Sequence, residues 1–333
     1  MKNRRVVLAA YLDGAPKESD FRLEEVDLPE LAEGQVLVKN SFVTIDPGMR
    51  GRLSGRASYT APVPLGGVLG SASVGQVVTS RNPKYSQGDW VAAAFGWQAY
   101  GVGDGPGMRK VTDLRVPISA QVGVLGIPGL TAYFGLLDIG QPKPGETVLV
   151  STAAGAVGSA AGQIAKIKGA RAVGIAGGPE KCRWLTDELG FDAAIDRHAE
   201  SDIAAAVRRT CPDGVDVLFD NVGNTLVDPV LPLMRQNGRI VVSGQTADYN
   251  LEPEQRHGLK NTTFFIVSRL KMQGLVVFDY VRQFPAAWAE MTDWILEGRL
   301  KYREDIEDGL EHAPAAFVGL FNGENFGRKL IRL

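Results

Sequence analysis

Cysteine is nearly absent from this chain: Cys182 and Cys211 are the only two in 333 residues. Two distant thiols cannot build a disulfide framework or a four-thiolate metal site, and both are read as reduced cytosolic thiols. Histidine is almost as scarce, with His198, His257 and His312 dispersed and lacking ligand spacing, so no metal is expected. Nor does either charge dominate: 36 Lys and Arg against 38 Asp and Glu leave a formal net charge of -2. Such a balance gives no long-range attraction for nucleic acid or an anionic membrane, and neither is an expected partner. Long apolar runs are missing too; none approaches the roughly 18 residues needed to span a bilayer. The opening MKNRRVVLAAYLDGAPKESD has an apolar run only from Val6 to Leu12, and no small-residue cleavage site follows. It is read as a first β-strand rather than a secretion signal, with the cytoplasm as the compartment. The sequon Asn261-Thr262-Thr263 then has no glycosylation route.

What is present is an ordinary globular composition, 44% hydrophobic and 22% charged, in a chain long enough for two domains. Residues 1–118 read as short strands broken by turns. QVLVKNSFVTID, SASVGQVV and GDWVAAAF alternate in strand fashion, and Gly66-Gly67, Asn82-Pro83 and the glycines from Gly101 to Gly107 punctuate them. From 119 to 300 the pattern changes to strand–helix alternation. TVLVST, ARAVGIA, DVLFDNV, GRIVVSG and KMQGLVVF are strands, with helices such as AVGSAAGQIAKIKG and EKCRWLTDELG between them. Such alternation predicts an α/β fold with a doubly wound parallel sheet covered on both faces. Residues 301–333 end in GRKLIRL, a strand expected to rejoin the β-rich first domain.

The most informative segment is TVLVSTAAGAVGSAAGQIAK. The expected strand 147–152 runs directly into Ala153-Ala154-Gly155-Ala156-Val157-Gly158 and a helix, a G-x-G-x-x-G turn with alanine at the first glycine. Gly155 lets backbone N–H groups approach a pyrophosphate that the helix N-terminus favours, and Gly158 lets helix and strand pack closely. The plain alternative is a small-residue packing turn; its place inside a βαβ unit favours a dinucleotide. At the end of the second strand NAD-binding folds usually carry an acid for the ribose 2′-hydroxyl. Here Gly174-Ile175-Ala176-Gly177-Gly178 stands instead, with Lys181 after it and Arg197 beyond the third strand. Two solvated surface cations would look the same, but with the missing acid they point to the 2′-phosphate of NADP(H).

Over nearly its whole length the sequence resembles the zinc-independent medium-chain dehydrogenases/reductases, specifically the prostaglandin reductase, leukotriene hydroxydehydrogenase and plant double-bond reductase group. The resemblance is carried by TIDPGMRGRLSG, GIPGLTAYFGL, STAAGAVGSAAGQIAKIKGARAVGIAGGPEK, GVDVLFDNVGN, VVSGQTADYN, KMQGLVVFDY and HAPAAFVGLFNGENFGRKLI. It implies a GroES-like β domain beside a Rossmann domain, a homodimer, and NADPH-dependent reduction of the double bond of α,β-unsaturated aldehydes or ketones. By the same resemblance Gly155, Ala156 and Val157 match the pyrophosphate loop and Lys181 the 2′-phosphate lysine. Asn221, the stretch 243–249 with Ser243, Gly244 and Tyr249, the strand residues Leu275, Val276 and Val277, and Asn325 match cofactor contacts. Gly48 and Val267 stand where the group has tyrosines facing substrate, and Arg197 where many members have tyrosine. Gly48, Met49, Trp97 and Tyr280 are thereby expected near the substrate. Gly48 either enlarges the pocket or merely tightens a turn, and Trp97, as a bare residue, fits a core better than a cleft. The zinc-binding branch of the fold needs thiolates and imidazoles in its β domain; SFVTIDPGMR and PLGGVLGSA contain none.

In such a reductase the nicotinamide carries the reducing power and the protein supplies position and electrostatics. An oxyanion forming on the carbonyl needs a hydrogen-bond donor. Tyr249 is the first candidate, with packing against the cofactor ribose its other possible role, and the proton donor stays open. Two other readings share the fold: an NADPH:quinone reductase of the zeta-crystallin type, and a non-catalytic NADPH-binding protein.

Overall fold

The computed structural model describes residues 2–56 and 60–333. They divide into two compact units, Met1–Gly126 with Glu304–Leu333, and Ile127–Arg303. The first unit runs past the expected 118 because the turn Ile118–Gln121 is anchored within it. Arg109 donates to the Gln121 side chain at 2.9 Å, and the Ser119 hydroxyl donates to Glu304 at 2.7 Å.

The first unit opens with β1 (Lys2–Leu8) and β2 (Phe21–Asp27), an antiparallel pair. β3 (Val36–Thr44), β4 (Ser73–Ser80), β5 (Trp90–Ala93), β6 (Tyr100–Gly103) and β7 (Arg109–Val111) follow. β3 is the organising strand, pairing antiparallel with both β4 and β6. Val36 and Val38, two residues apart, pack in one core cluster, and Val43, beyond the irregularity between Asn40 and Phe42, packs in another.

The second unit begins with α1 (Ile127–Phe134) and then alternates: β8 (Thr147–Val150), α2 (Ala156–Ile167), β9 (Arg171–Ala176), α3 (Pro179–Arg183), β10 (Ala193–Asp196), α4 (Ile203–Thr210), β11 (Val215–Asp220), α5 (Asn224–Val230), β12 (Met234–Val242), α6 (Thr263–Val267), β13 (Lys271–Gly274) and α7 (Phe284–Leu296). All six strands are parallel in the order β10-β9-β8-β11-β12-β13, the doubly wound order of a Rossmann sheet. Every residue of β8 and β11 is buried, which explains why both read as continuous apolar runs rather than alternating ones. The strand order reverses between β8 and β11, and the loops beyond their carboxyl ends form the ligand position of such folds.

The chain then returns to the first unit with β14 (Glu304–Asp308), α8 (Ala313–Phe321) and β15 (Arg328–Arg332). β15 pairs parallel with β14 and antiparallel with β3, joining the seven-stranded sheet as expected. α8 lays Phe317 against Phe21 and Trp97, with ring centroids 5.8 Å apart in each pair.

Two expected elements are shorter in the structure. β8 stops at Val150 because Thr152 takes a left-handed backbone, φ 49°, to turn the chain toward α2. The strand expected through Phe278 stops at Gly274, since its partner β12 ends at Val242; one further bond, Leu275 N to Val242 O at 3.1 Å, closes the ladder. Val276 is then exposed and Val277 is buried against Leu130, Phe134 and Phe284.

Candidate functional site

The glycine turn lies at the carboxyl end of β8, where the doubly wound sheet reverses. Gly155 is the N-cap of α2; it supplies no side-chain cap, and no acid occupies the first turn. The N–H groups opening a helix have no partner within the helix itself, so this end offers donors and a positive dipole to an anion. Gly158 is there for closeness: a methyl group at that position would lie 2.4 Å from the Thr152 carbonyl oxygen. At Gly155 the same methyl would lie 3.2 Å from that oxygen, tight but far less severe. The two glycines therefore do different things. Gly158 sets the helix against the turn, and Gly155, half-buried with Ala156 and Val157, leaves the approach clear.

At the end of β9, no carboxylate stands at Ala176, Gly177 or Gly178. Two cationic-type side chains cover that end instead. A methyl group at Gly177 would meet the His198 ring at 2.8 Å and Arg197 Nε at 3.3 Å. Asp196 holds the two strand ends together, its carboxylate accepting from Gly178 N at 2.7 Å and His198 N at 3.0 Å. Burial alone would raise the Asp196 carboxyl, but these backbone donors hold it below the usual carboxylate range. Lys181 sits half-buried on α3, whose N-cap is Gly178. His198 is a neighbour that the sequence reading considered only as a metal ligand.

Beyond β11, Asp220 is the centre of a buried network. Its side chain is wholly inaccessible and accepts from Ser151 Oγ at 2.9 Å, Val222 N at 3.0 Å and Gly223 N at 2.8 Å. Ser151 Oγ in turn accepts from Asn221 N at 2.7 Å, and Asn221 Nδ2 donates to the Ser151 carbonyl at 2.8 Å. Burial pushes the Asp220 carboxyl up to about 6, against the pull of those donors. The stretch from Ser243 hangs on the same loop: Ser243 N donates to Asp220 O, Thr246 N to Asn221 O and Ala247 N to Val222 O, at 2.8 to 3.1 Å. A methyl group at Gly244 would lie 3.3 Å from both Tyr249 Oη and Asn221 O, so Tyr249 closes back onto this loop. The structure thus brings Gly155, Asn221, Ser243, Gly244 and Tyr249 to the carboxyl ends of β8, β11 and β12. Asp220 and Ser151, which tie them together, were missed by the sequence reading.

Other expected site residues behave differently. Tyr280 stacks on Phe134, centroids 4.6 Å apart, and its hydroxyl donates to Asp138 at 2.5 Å. Burial and that carboxylate push its phenol up to about 12, and its ring and hydroxyl are both engaged within the second unit. In the first unit, Trp97 is completely buried and its indole N–H donates to the Thr44 carbonyl at 3.0 Å. Met49 is buried in the same cluster as Val6, Leu8 and Phe317. The core of this unit needs large apolar side chains at its centre, and a ring burying roughly 150–250 Å² contributes about 4–6 kcal/mol before entropy is counted. Gly48 alone of its segment is exposed, with nothing within 4 Å of an added methyl group. Its neighbours explain the Asp46-Pro47-Gly48-Met49-Arg50 motif as scaffolding. Asp46 is paired with the buried Arg328 guanidinium, and Arg50 donates to the Gly14 carbonyl at 2.8 Å. Asn325 donates to the Gly327 carbonyl at 3.1 Å and borders a small cavity with Asp305, Glu307 and Lys329. Val267 is exposed at the end of α6.

Among the described residues no group of three or more His, Cys, Asp or Glu is arranged to hold a metal ion. No helix of the described residues is long and apolar enough to cross a membrane. Residues 4–111 match the family described as N-terminal domain of oxidoreductase, and residues 156–297 the family described as zinc-binding dehydrogenase. The chain is 45% identical to the NADPH-dependent curcumin reductase of Escherichia coli strain K12, covering 100% of this chain and 97% of that protein. It is 40% identical to the NADP(+)-dependent 2-alkenal reductase of Nicotiana tabacum, over 99% of this chain and 97% of that one. The crystal structure of CurA from Vibrio vulnificus in complex with NADPH superposes with a TM-score of 0.93 at 41% identity, covering 99% of this chain and 98% of that chain. This chain belongs to the zinc-independent group of the medium-chain dehydrogenases/reductases.

Proposed function

We propose that this protein reduces the carbon–carbon double bond of α,β-unsaturated aldehydes or ketones at the expense of NADPH. The observation that carries the reading is the pairing of an uncapped glycine-opened α2 with a β9 end that bears no acid and is overlain by Arg197 and His198. The full-length likeness to enzymes named for curcumin and alkenal reduction supplies the substrate class.

When bound, the cofactor supplies the hydride. The chain's own residues do the rest. The N–H groups around Gly155, Ala156, Val157 and Gly158 receive the pyrophosphate, and Lys181 and Arg197 neutralise the 2′-phosphate. Asn221, Ser243, Gly244, Leu275, Val276 and Val277 complete the cofactor contacts of the second unit. As negative charge develops on the substrate carbonyl oxygen, a hydroxyl donor lowers its energy. Tyr249, held beside Asn221 and Gly244, is our candidate for that donor. Gly48 leaves room at the substrate wall. The protein works as a cytoplasmic homodimer, pairing through the edge strand β13 with the exposed apolar Val276, Phe278 and Val281 that follow it.

The test is NADPH oxidation with aliphatic enals, benzylidene ketones, lipid enones and quinones. Turnover of the enals and ketones with saturated products is expected. Turnover of quinones alone would replace this reading with a quinone reductase, and inactivity with every acceptor would leave an NADPH-binding protein without chemistry.

A further inference from the structure

We propose that Asp220 is a positioning residue for the cofactor, holding the glycine turn after β8 and the loops after β11 and β12 in one fixed arrangement. The inference rests on the NADPH reading above and adds a fully buried residue that is not among the expected cofactor contacts. Asp220 lies at the end of β11, and its carboxylate ties the segment after β8 to the loop after β11, beside the Asn221 side chain that donates to the Ser151 carbonyl. Through Ser151 it holds the residue that precedes the glycine turn. Through Val222 N and Gly223 N it folds the loop after β11 back on itself. That loop's carbonyls, Asp220 O, Asn221 O and Val222 O, then carry the stretch 243–247.

The chemistry calls for a carboxylate. One oxygen accepts from both the Ser151 hydroxyl and Val222 N, and the other accepts from Gly223 N. A carboxamide of the same shape has a single acceptor oxygen, so its NH₂ would face either the Gly223 N–H or the pair on the other side. Burying an acid without a cationic partner is costly, and an apolar or amide residue would be the cheaper filler here. Its contribution lies in fixing the loops before the cofactor arrives, so that less ordering is left to be done on binding. Gly223 sits within this turn with its backbone at φ 110°, and its N–H is one of the two backbone donors to the Asp220 carboxylate.

Asp220→Asn and Ser151→Ala test this, with NADPH affinity measured by fluorescence titration, and kcat, KM for NADPH and KM for an enone measured together. Loops that must be ordered on binding weaken ground and transition states alike, so the loss falls on KM for NADPH rather than on kcat. Asp220→Asn is expected to raise the NADPH Kd at least tenfold, while kcat at saturating NADPH and the enone KM change less than threefold. Ser151→Ala keeps both backbone bonds of the carboxylate and is expected to raise Kd about threefold; it carries the test if Asp220→Asn does not fold. A purely structural role would lower the melting temperature and leave Kd unchanged in the folded variant, and that result would overturn the proposal. Equal losses in kcat and in both KM values would overturn it as well. Absence of NADPH binding by the unsubstituted protein is a different failure: the cofactor reading falls, and the positioning role falls with it.

Discussion

Gly155 and Gly158 stand three residues apart in one turn, and alanine at each should fail in a different way. At Gly158 the added methyl lies 2.4 Å from the Thr152 carbonyl oxygen and 2.8 Å from Ala153 Cα, both backbone atoms that cannot swing aside. Ordinary contact would need α2 and the turn to separate by roughly 0.6–1 Å, and overpacking of that kind costs about 1–3 kcal/mol. Gly158→Ala is therefore expected to lower the melting temperature by about 2–12 °C, on the scale of about 2–4 °C per kcal/mol for chains somewhat smaller than this one. At Gly155 the methyl meets Thr152 O at 3.2 Å and Thr152 Cγ2 at 3.3 Å, and the backbone is extended, φ -85° and ψ 174°. Gly155→Ala is expected to fold with a melting temperature about 1–4 °C below the parent, since alanine is a poorer N-cap than glycine by about 0.5–1 kcal/mol. Its methyl occupies the approach of the pyrophosphate, so the KM for NADPH should rise at least tenfold, about 1.4 kcal/mol. Thermal denaturation of the apoprotein and NADPH titration of the same preparations separate the two. An unaltered melting temperature for Gly158→Ala would refute the close-packing account, and parental NADPH affinity in Gly155→Ala would move the pyrophosphate elsewhere.

Cofactor preference should favour NADPH over NADH by at least about tenfold in kcat/KM, about 1.4 kcal/mol, and Lys181→Ala should erode it mainly through KM; equal use of both cofactors by the parent would contradict the 2′-phosphate site. Asp220 carries a raised carboxyl, to about 6 in the fold against an ordinary carboxylate unfolded, so the folded state holds the extra proton and its stability contribution falls as pH rises toward and through 6. The stability advantage of the parent over Asp220→Asn should accordingly shrink by about 1 kcal/mol between pH 5 and 7, and growth of that advantage would reverse the assignment. Gly48→Tyr enters open space on a backbone that is not left-handed, and should shift the specificity ratio toward small enals over bulky aryl enones by roughly 5- to 100-fold; an unchanged ratio in a folded variant would leave Gly48 outside the substrate wall. Light scattering at working concentration should give the mass of a dimer, and a monomer would remove β13 as an interface.

Much of the fold was open to reading because its determinants are local. TVLVST, ARAVGIA and DVLFDNV are apolar on both faces, and that alone assigns them to the middle of a covered parallel sheet. The turn from Ala153 to Gly158 could be recognised because the strand before it and the helix after it are adjacent in sequence. Element ends were harder. The strand after Lys271 stops where β12 stops supplying partners, and no property of Leu275 or Val276 records the length of a neighbouring strand. Trp97 shows the same limit for the site: its ring is enclosed by Phe21 and Phe317, one from the start of the chain and one from its end.

Asp46 and Asp220 carry that limit to electrostatics. Each is an acid at the end of an apolar strand, in TID and LFD, and the two look alike in sequence. Asp46 meets the Arg328 guanidinium and the Thr44 hydroxyl, which hold its carboxyl below the usual range although burial alone would raise it. Asp220 meets dipoles only, and burial wins. A full opposite charge stabilises a buried carboxylate far more than neutral donors do, so the partner decides the sign. That partner is set by topology: β15 brings Arg328 across the first unit's sheet, and the reversal between β8 and β11 brings Ser151 to Asp220. Asp46 is thereby locked as a charged anchor near neutral pH, whereas Asp220, with no cation to commit it, can gain a proton within the range where enzymes work. Of the two, only the acid at the cofactor loops is able to respond to pH.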